Sequence, residues 1–357
     1  TESNNLALKG LAEFYGDVGG GDAAATADGA SGAAAAKKRH IVTTVTEHKC
    51  VLDSCRHLET KGWDVTYLPV QKNGLVDVDE LRAALRPETL CVSVMMVNNE
   101  IGVIQPVEEI GRVLRDVRRE TNDRRLFFHV DAAQAVGKVP VDVDAIQCDL
   151  MSISAHKMYG PKGIGALYKR RKPRCRLAPQ MSGGGQEMGM RSGTLPVALA
   201  VGFGAAADVC AAEMHNDRRW IEHLYRRLYD GITSRVTHVY LNGDAERRYH
   251  GNLNMSFEFI EGEAMMMKLK HIALSSGSAC TSATLEPSYV LRALGINEEL
   301  AHTSLRIGIG RFTTEREIDY AVDLIAKATA ELRELSAIYS IARRGLDWRK
   351  VVPFSDH

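Results

Sequence analysis

The chain reads as an α/β protein: a mostly parallel sheet flanked by helices, followed by a smaller C-terminal α+β domain. Three observations predict this. Short apolar or β-branched runs alternate with helix-period stretches over most of the first half. Those runs are nearly continuously apolar, as strands covered on both faces are. The pattern then changes after a long amphipathic stretch at 196–235 to a few strands mixed with helices.

Taken in order, the predicted strands are IVTTV (41–45), DVTYL (64–68), CVSVMMV (91–97), LFFHV (126–130), LMSIS (150–154) and IGALY (164–168). Helix-period segments such as HKCVLDSCRHLETKG and PVEEIGRVLRDVRRE lie between them. Residues 16–36 are almost wholly Gly, Ala, Asp, Ser and Thr. With no large apolar groups to offset ordering entropy, this tract is expected to be a flexible surface insertion. The domains are placed at 1–213 and 214–357, and no internal repeat is visible.

Composition excludes several classes of function. The 45 basic and 45 acidic residues among 357 cancel, which argues against nucleic acid or an anionic membrane as partner. No run of about 20 apolar residues is apparent, so no membrane span is expected. The seven cysteines, at 50, 55, 91, 148, 175, 210 and 280, form no CxxC pair. That fits neither a disulfide framework nor a zinc site, and suits a reducing compartment. Thr1 stands where a Met is usual, so the chain is expected to be truncated at its N-terminus.

Ligands of open α/β sheets gather beyond the carboxyl ends of the strands. Asn98 and Asn99 follow one strand, Asp131 another, and Ser154, His156 and Lys157 a third. Singly these are ordinary: a carboxylate after a strand is usually a helix cap, and a lysine a solvated charge. Their spacing is more specific. Asp131 and Lys157 are 26 residues apart, one crossover, and so flank a common space. Pyridoxal phosphate (PLP) needs this pair, an amine to carry it and a carboxylate to keep its ring nitrogen protonated. Ser154 and His156 add two candidate phosphate donors.

At these residues the chain resembles a known family. VDAAQ (130–134), SAHKMYGPKG (154–163), GGGQEMGMRSGTLP (183–196), SSGSACTSA (275–283) and LRIGIGRFT (305–313) are similar to fold-type-I cysteine desulfurases of the IscS/Nfs branch. TEHK (46–49), VNNEIG (97–102) and LEPSYVLRALG (285–295) add to the likeness. The resemblance implies that Lys157 carries PLP, that His48 stacks on its ring and moves protons, and that Asp131 pairs with the ring nitrogen. It further implies that Gln134 bonds the ring hydroxyl and that Thr1, Ser154 and His156 hold the phosphate. Thr194 would reach the phosphate of the second protomer in a homodimer, and Asn99 and Arg306 would hold the carboxylate of L-cysteine, a task suited to a guanidinium. Plainer readings stand beside these: His48 as the start of a helix, Arg306 as half of a structural ion pair. Met188 departs from the arginine usual before RSGT, and Ala155 from the glycine of SGHK.

Cys280 would be the nucleophile that takes the sulfur. Every residue of SSGSACTSA is Ser, Gly, Ala, Thr or Cys, so the segment is expected to pack poorly and move easily. A thiol that attacks at the cofactor and then delivers a persulfide elsewhere needs that freedom. The rivals are a selenocysteine lyase, an aminotransferase (which needs no thiol) and a non-catalytic scaffold. The wording of TEHKCVLDSCR and GIGRFTTE looks most like mitochondrial members. It implies a matrix enzyme supplying sulfur for iron–sulfur clusters and tRNA thiolation. The implied partners are an iron–sulfur scaffold protein, frataxin and a LYR-type accessory protein, with DWRKVVPFSDH as a docking tail; in a bacterium the location would be cytoplasmic.

Overall fold

Apolar periodicity sets the first element, helix α1 (Glu2–Gly16), whose buried residues Asn4, Ala7, Leu8, Leu11, Ala12 and Tyr15 follow the spacing of one helix face. A computed structural model describes residues 1–16, 38–172, 175–275 and 287–345. Gly16 ends α1, so the Gly/Ala tract begins one residue later than expected; its remainder lies outside the described residues.

The chain divides into two compact units: Thr1–Asn98 with Val103–His215, and Asn99–Gly102 with Asn216–His357. In the first, strands β1 (His40–Thr44), β2 (Asp64–Leu68), β3 (Thr89–Met95), β4 (Phe127–Asp131), β5 (Leu150–Ser154) and β6 (Gly165–Lys169) form one sheet in the order β2-β1-β3-β4-β5-β6. The pairs from β2 through β5 are parallel, and β6 is antiparallel to β5. Helices α2 (Lys49–Glu59), α3 (Val78–Ala83), α4 (Val107–Thr121) and α5 (Val143–Ile146) occupy the connections. β1, β3 and β4 are buried along their whole length, which is why their sequences lack polar alternation. A core of α1, α2 and sheet residues, among them Leu8, Leu11, Val51, Leu90 and Phe127, closes one face.

Helix α6 (Val197–Thr233) crosses the division between the units. It corrects the expectation that no segment is apolar enough to span a membrane. One 18-residue window has a mean hydropathy of 1.6, and only 6% of it is buried. Its apolarity is mostly Ala, Gly and Val, which escapes a search for large side chains.

In the second unit, β7 (Val239–Leu241), β8 (Asn252–Phe257) and β9 (Ser304–Gly308) form an antiparallel sheet. Around it lie α7 (Gly262–Lys268), α8 (Tyr289–Ala293), α9 (Glu298–His302), α10 (Glu315–Glu334) and α11 (Ala337–Arg343). Leu253, Met255, Phe257, Leu305, Ile325 and the inner face of α6 make its core. α10 starts at a capping box, Thr314 and Glu317 each bonding the other's backbone.

Candidate active site

In the order β2-β1-β3-β4 the connections leaving β1 and β3 run to opposite sides, which makes a topological switch point between these two strands. The loop after β1 is held by a carboxyl group. Glu47 Oε1 accepts from the Met95 backbone N–H at 2.7 Å and from Thr44 Oγ1 at 3.1 Å. Burial pushes its pKa well above the usual carboxylate range. Asn98 reinforces the loop, Nδ2 donating to the Thr46 carbonyl at 2.9 Å.

His48 follows directly and caps α2. Its Nδ1 accepts from the Cys50 backbone N–H at 3.2 Å and lies 3.0 Å from Cys50 Sγ. The helix-start reading of His48 thus holds as geometry. With Nδ1 an acceptor, the neutral ring carries its proton on Nε2, which makes that edge a donor.

Asp131 ends β4, 5% exposed. Its Oδ2 accepts from Asn4 Nδ2 at 2.7 Å and its Oδ1 from the Ala133 N–H at 2.9 Å. No basic side chain among the described residues forms an ion pair with it. Two residues earlier, the buried His129 bridges Ser93 Oγ at 2.8 Å and Ser152 Oγ at 3.0 Å across β3, β4 and β5. Burial lowers its pKa to about 4, so the ring is neutral at pH 7, the nearby Asp131 charge opposing only in part.

On the adjacent strand β5, Ser154 Oγ lies 3.1 Å from His156 Nδ1. His156 and Lys157 are exposed in the short turn that follows. Burial and the charges of Lys157 and Lys162 lower the His156 pKa. Gln134, one turn beyond Asp131, accepts from Lys138 Nζ at 2.6 Å through Oε1, which leaves its Nε2 as the donating group. The Lys138 ammonium is lowered to about 8 by burial and by the Lys157 charge. Thr1 precedes α1, and Thr194 is exposed before α6.

Within the second unit, Arg306 on β9 donates from Nη1 to the Asn99 carbonyl at 3.3 Å, and it forms no ion pair among the described residues. The segment Asn99–Gly102 is stitched in by Asn252 to the Asn99 carbonyl, Asn254 to that of Glu100 and Tyr249 N–H to that of Gly102. Gly102 has φ +73°, and a Cβ there would meet the Asn252 and Tyr249 carbonyls at 3.1 Å. The Asn99 Oδ1 is buried without a partner among the described residues, and a carboxylate could be held only by the other end of this amide, the Nδ2 donor. Cys280 lies outside the described residues.

These residues fit PLP. A nearly buried carboxylate with N–H donors but no cation is completed by a protonated ring nitrogen. One strand over, Lys157 presents an exposed amine, with the Ser154–His156 pair beside it as donors for a phosphate.

A class-V aminotransferase family profile matches residues 18–321. A mitochondrial cysteine desulfurase of Drosophila melanogaster is 56% identical over 357 residues, covering 100% of this chain and 71% of its own. A probable mitochondrial cysteine desulfurase of Dictyostelium discoideum is 52% identical over 98% of this chain and 72% of its own. The cysteine desulfurase IscS of Rickettsia bellii is 54% identical over 98% and 79%. The chain belongs to the PLP-dependent cysteine desulfurases of the class-V aminotransferase family. Among solved structures, a NifS-like protein superposes with a TM-score of 0.79 at 32% identity, covering 93% of this chain and 80% of its own. The expected architecture is borne out: this cysteine desulfurase has the fold-type-I sheet and a smaller α+β unit.

The sequence reading missed Asn4, Glu47, Cys50, His129 and Lys138. Only Asn4 and Glu47 left a sequence signal: a polar residue on the apolar stripe of α1, and a carboxylate flanked by β-branched residues and His48.

Proposed function

We propose that the chain converts L-cysteine to L-alanine and carries the sulfur away as a persulfide on Cys280. The observation that carries this reading is the placement of Asp131 at the carboxyl end of β4 and of Lys157 just beyond that of the adjacent β5. Bound PLP supplies an electron sink, and Asp131 keeps its ring nitrogen protonated. Lys157 carries PLP through its amine. Thr1, Ser154 and His156 bind the phosphate, with Thr194 of a second protomer, and Gln134 Nε2 donates to the ring hydroxyl. His48 stacks on the ring. Because His48 Nδ1 is already an acceptor, Lys157 Nζ is the better base for the substrate Cα proton. Arg306 and Asn99 hold the substrate carboxylate. The Cys280 thiolate attacks the substrate sulfur, the carbon–sulfur bond breaks, and its electron pair leaves with the carbon, which takes up a proton to become alanine.

In this reading residues 1–213 form the cofactor domain and 214–357 the domain that carries the Cys280 loop. A homodimer is supported by Val197, Val201 and Val209 of α6, which are 69%, 68% and 46% exposed and form an apolar surface suited to a second copy. The Drosophila and Dictyostelium relatives, both named mitochondrial, support a mitochondrial location, and the proposal extends to the matrix and to sulfur supply for iron–sulfur clusters and tRNA thiolation. The partners proposed are an iron–sulfur scaffold, frataxin and a LYR-type protein. The test is a pair of variants. Cys280→Ser should bind PLP with normal visible absorbance yet form no alanine from cysteine, and Lys157→Ala should lose that absorbance. Normal turnover by the first, or an unchanged spectrum in the second, overturns the assignment.

A further inference from the structure

We propose that Asn4 is a positioning residue for the cofactor, its side-chain amide clamping the carboxylate of Asp131. The inference rests on the reading of Asp131 above as the partner of the ring nitrogen.

Asn4 sits on the apolar stripe of α1, 3% exposed, where an unbonded amide would be costly. Its Nδ2 has two hydrogens and two acceptors: Asp131 Oδ2 at 2.7 Å and Cys50 Sγ at 3.1 Å. The orientation of the amide follows from chemistry. An ionised carboxylate only accepts, so turning the amide over would set two oxygens against each other. The chosen orientation leaves Asn4 Oδ1 buried without a partner among the described residues, an arrangement that makes sense only if the bond to Asp131 outweighs it.

The clamp has a second jaw. The Ala133 N–H holds Asp131 Oδ1 at 2.9 Å from the chain's own next turn, while Asn4 holds Oδ2 from another element. Donors on different oxygens fix the plane of the carboxylate, and each oxygen keeps a lone pair for the ring N–H. Through Cys50 the same amide reaches the turn that His48 caps, and its helix begins just after Thr1. One side chain therefore ties together three places proposed to touch the cofactor.

The experiment is a double-mutant cycle on the full chain, comparing the parent, Asn4→Ser, Asp131→Ala and the double variant. PLP affinity is read by titrating the apo chain at the visible band, and apo stability by its unfolding midpoint. Asn4→Ser should raise the PLP Kd about tenfold in the parent, as losing one charge-assisted hydrogen bond does. It should have less than about a twofold effect once Asp131 is alanine. An unchanged Kd in Asn4→Ser, or the same loss in both backgrounds, overturns the clamp and assigns Asn4 to packing alone. If Asp131→Ala itself leaves the Kd unaltered, the role of Asp131 falls, and the clamp falls with it. Should Asn4→Ser yield no soluble chain, Asn4→Gln, which displaces the amide by one methylene, is judged by the same two comparisons.

Discussion

The neutral imidazole under the site gives a stability effect that can be worked out in advance. His129 is fully buried between the hydroxyls of Ser93 and Ser152, and its pKa falls from 6.5 to about 4. Serine hydroxyls accept as readily as they donate, so protonation need not break either hydrogen bond; the cost is desolvation of the charge. The unfolded chain binds its proton through pH 6.5 and the folded chain only through about 4, so the unfolded state holds more protons between them. Stability is therefore complete above pH 6.5 and falls as pH drops through the window. At 1.36 kcal/mol per pH unit, the loss from this group relative to pH 7 is about 2 kcal/mol at pH 5 and about 3 kcal/mol at pH 4. Urea unfolding followed by far-UV circular dichroism at pH 7, 6, 5 and 4 measures it, with His129→Asn as reference. The variant has its own constant cost, which cancels when each protein is compared with itself. His40, also lowered to about 4 by burial, titrates in both proteins and cancels too. The parent should lose about 2 kcal/mol more than the variant between pH 7 and pH 5. Parallel curves would refute a neutral buried His129.

Glu47→Gln should be almost silent at pH 7, within about 1 kcal/mol, because a protonated carboxyl and an amide present the same acceptor to Met95 N–H. Glu47→Ala should cost about 2–3 kcal/mol by leaving that N–H unpaired; equal losses in the two variants, measured by denaturation, would mean that Glu47 is ionised. Gly111→Ala gains helix propensity in α4 yet should destabilise by about 1–3 kcal/mol, since its Cβ would stand 1.9 Å from the Ile146 carbonyl. A raised melting temperature would show that α4 shifts freely.

What the sequence revealed, and what it did not, follows from the kind of constraint on each residue. β1 to β5 were legible to within two residues because each is a short apolar or β-branched run, and β1, β3 and β4, buried along their whole length, leave no room for polar alternation. The direction of β6 was legible in principle. Only residues 155–164 separate it from β5, too few for the crossover a parallel strand needs. The assignment of Asn99–Gly102 to the second unit was not legible, because the carbonyls that hold it are bonded by residues some 150 positions away.

The site divides in the same way. Lys157, Asp131 and His48 announce themselves because few residue types can do the chemistry proposed for them, and because strand ends are where ligands gather. Asn4, Glu47 and Lys138 are ordinary polar residues whose importance comes from burial against those three and Gln134, a property of the fold and not of residue type. Asn4 is the instructive case. On an apolar helix stripe a lone asparagine looks like a tolerated flaw, and only the 2.7 Å contact with Asp131 shows that its position carries a purpose. A polar residue on an otherwise apolar face is therefore worth reading as a donor in search of an acceptor. In this chain the acceptor is Asp131, the carboxylate proposed to face the ring nitrogen of the cofactor.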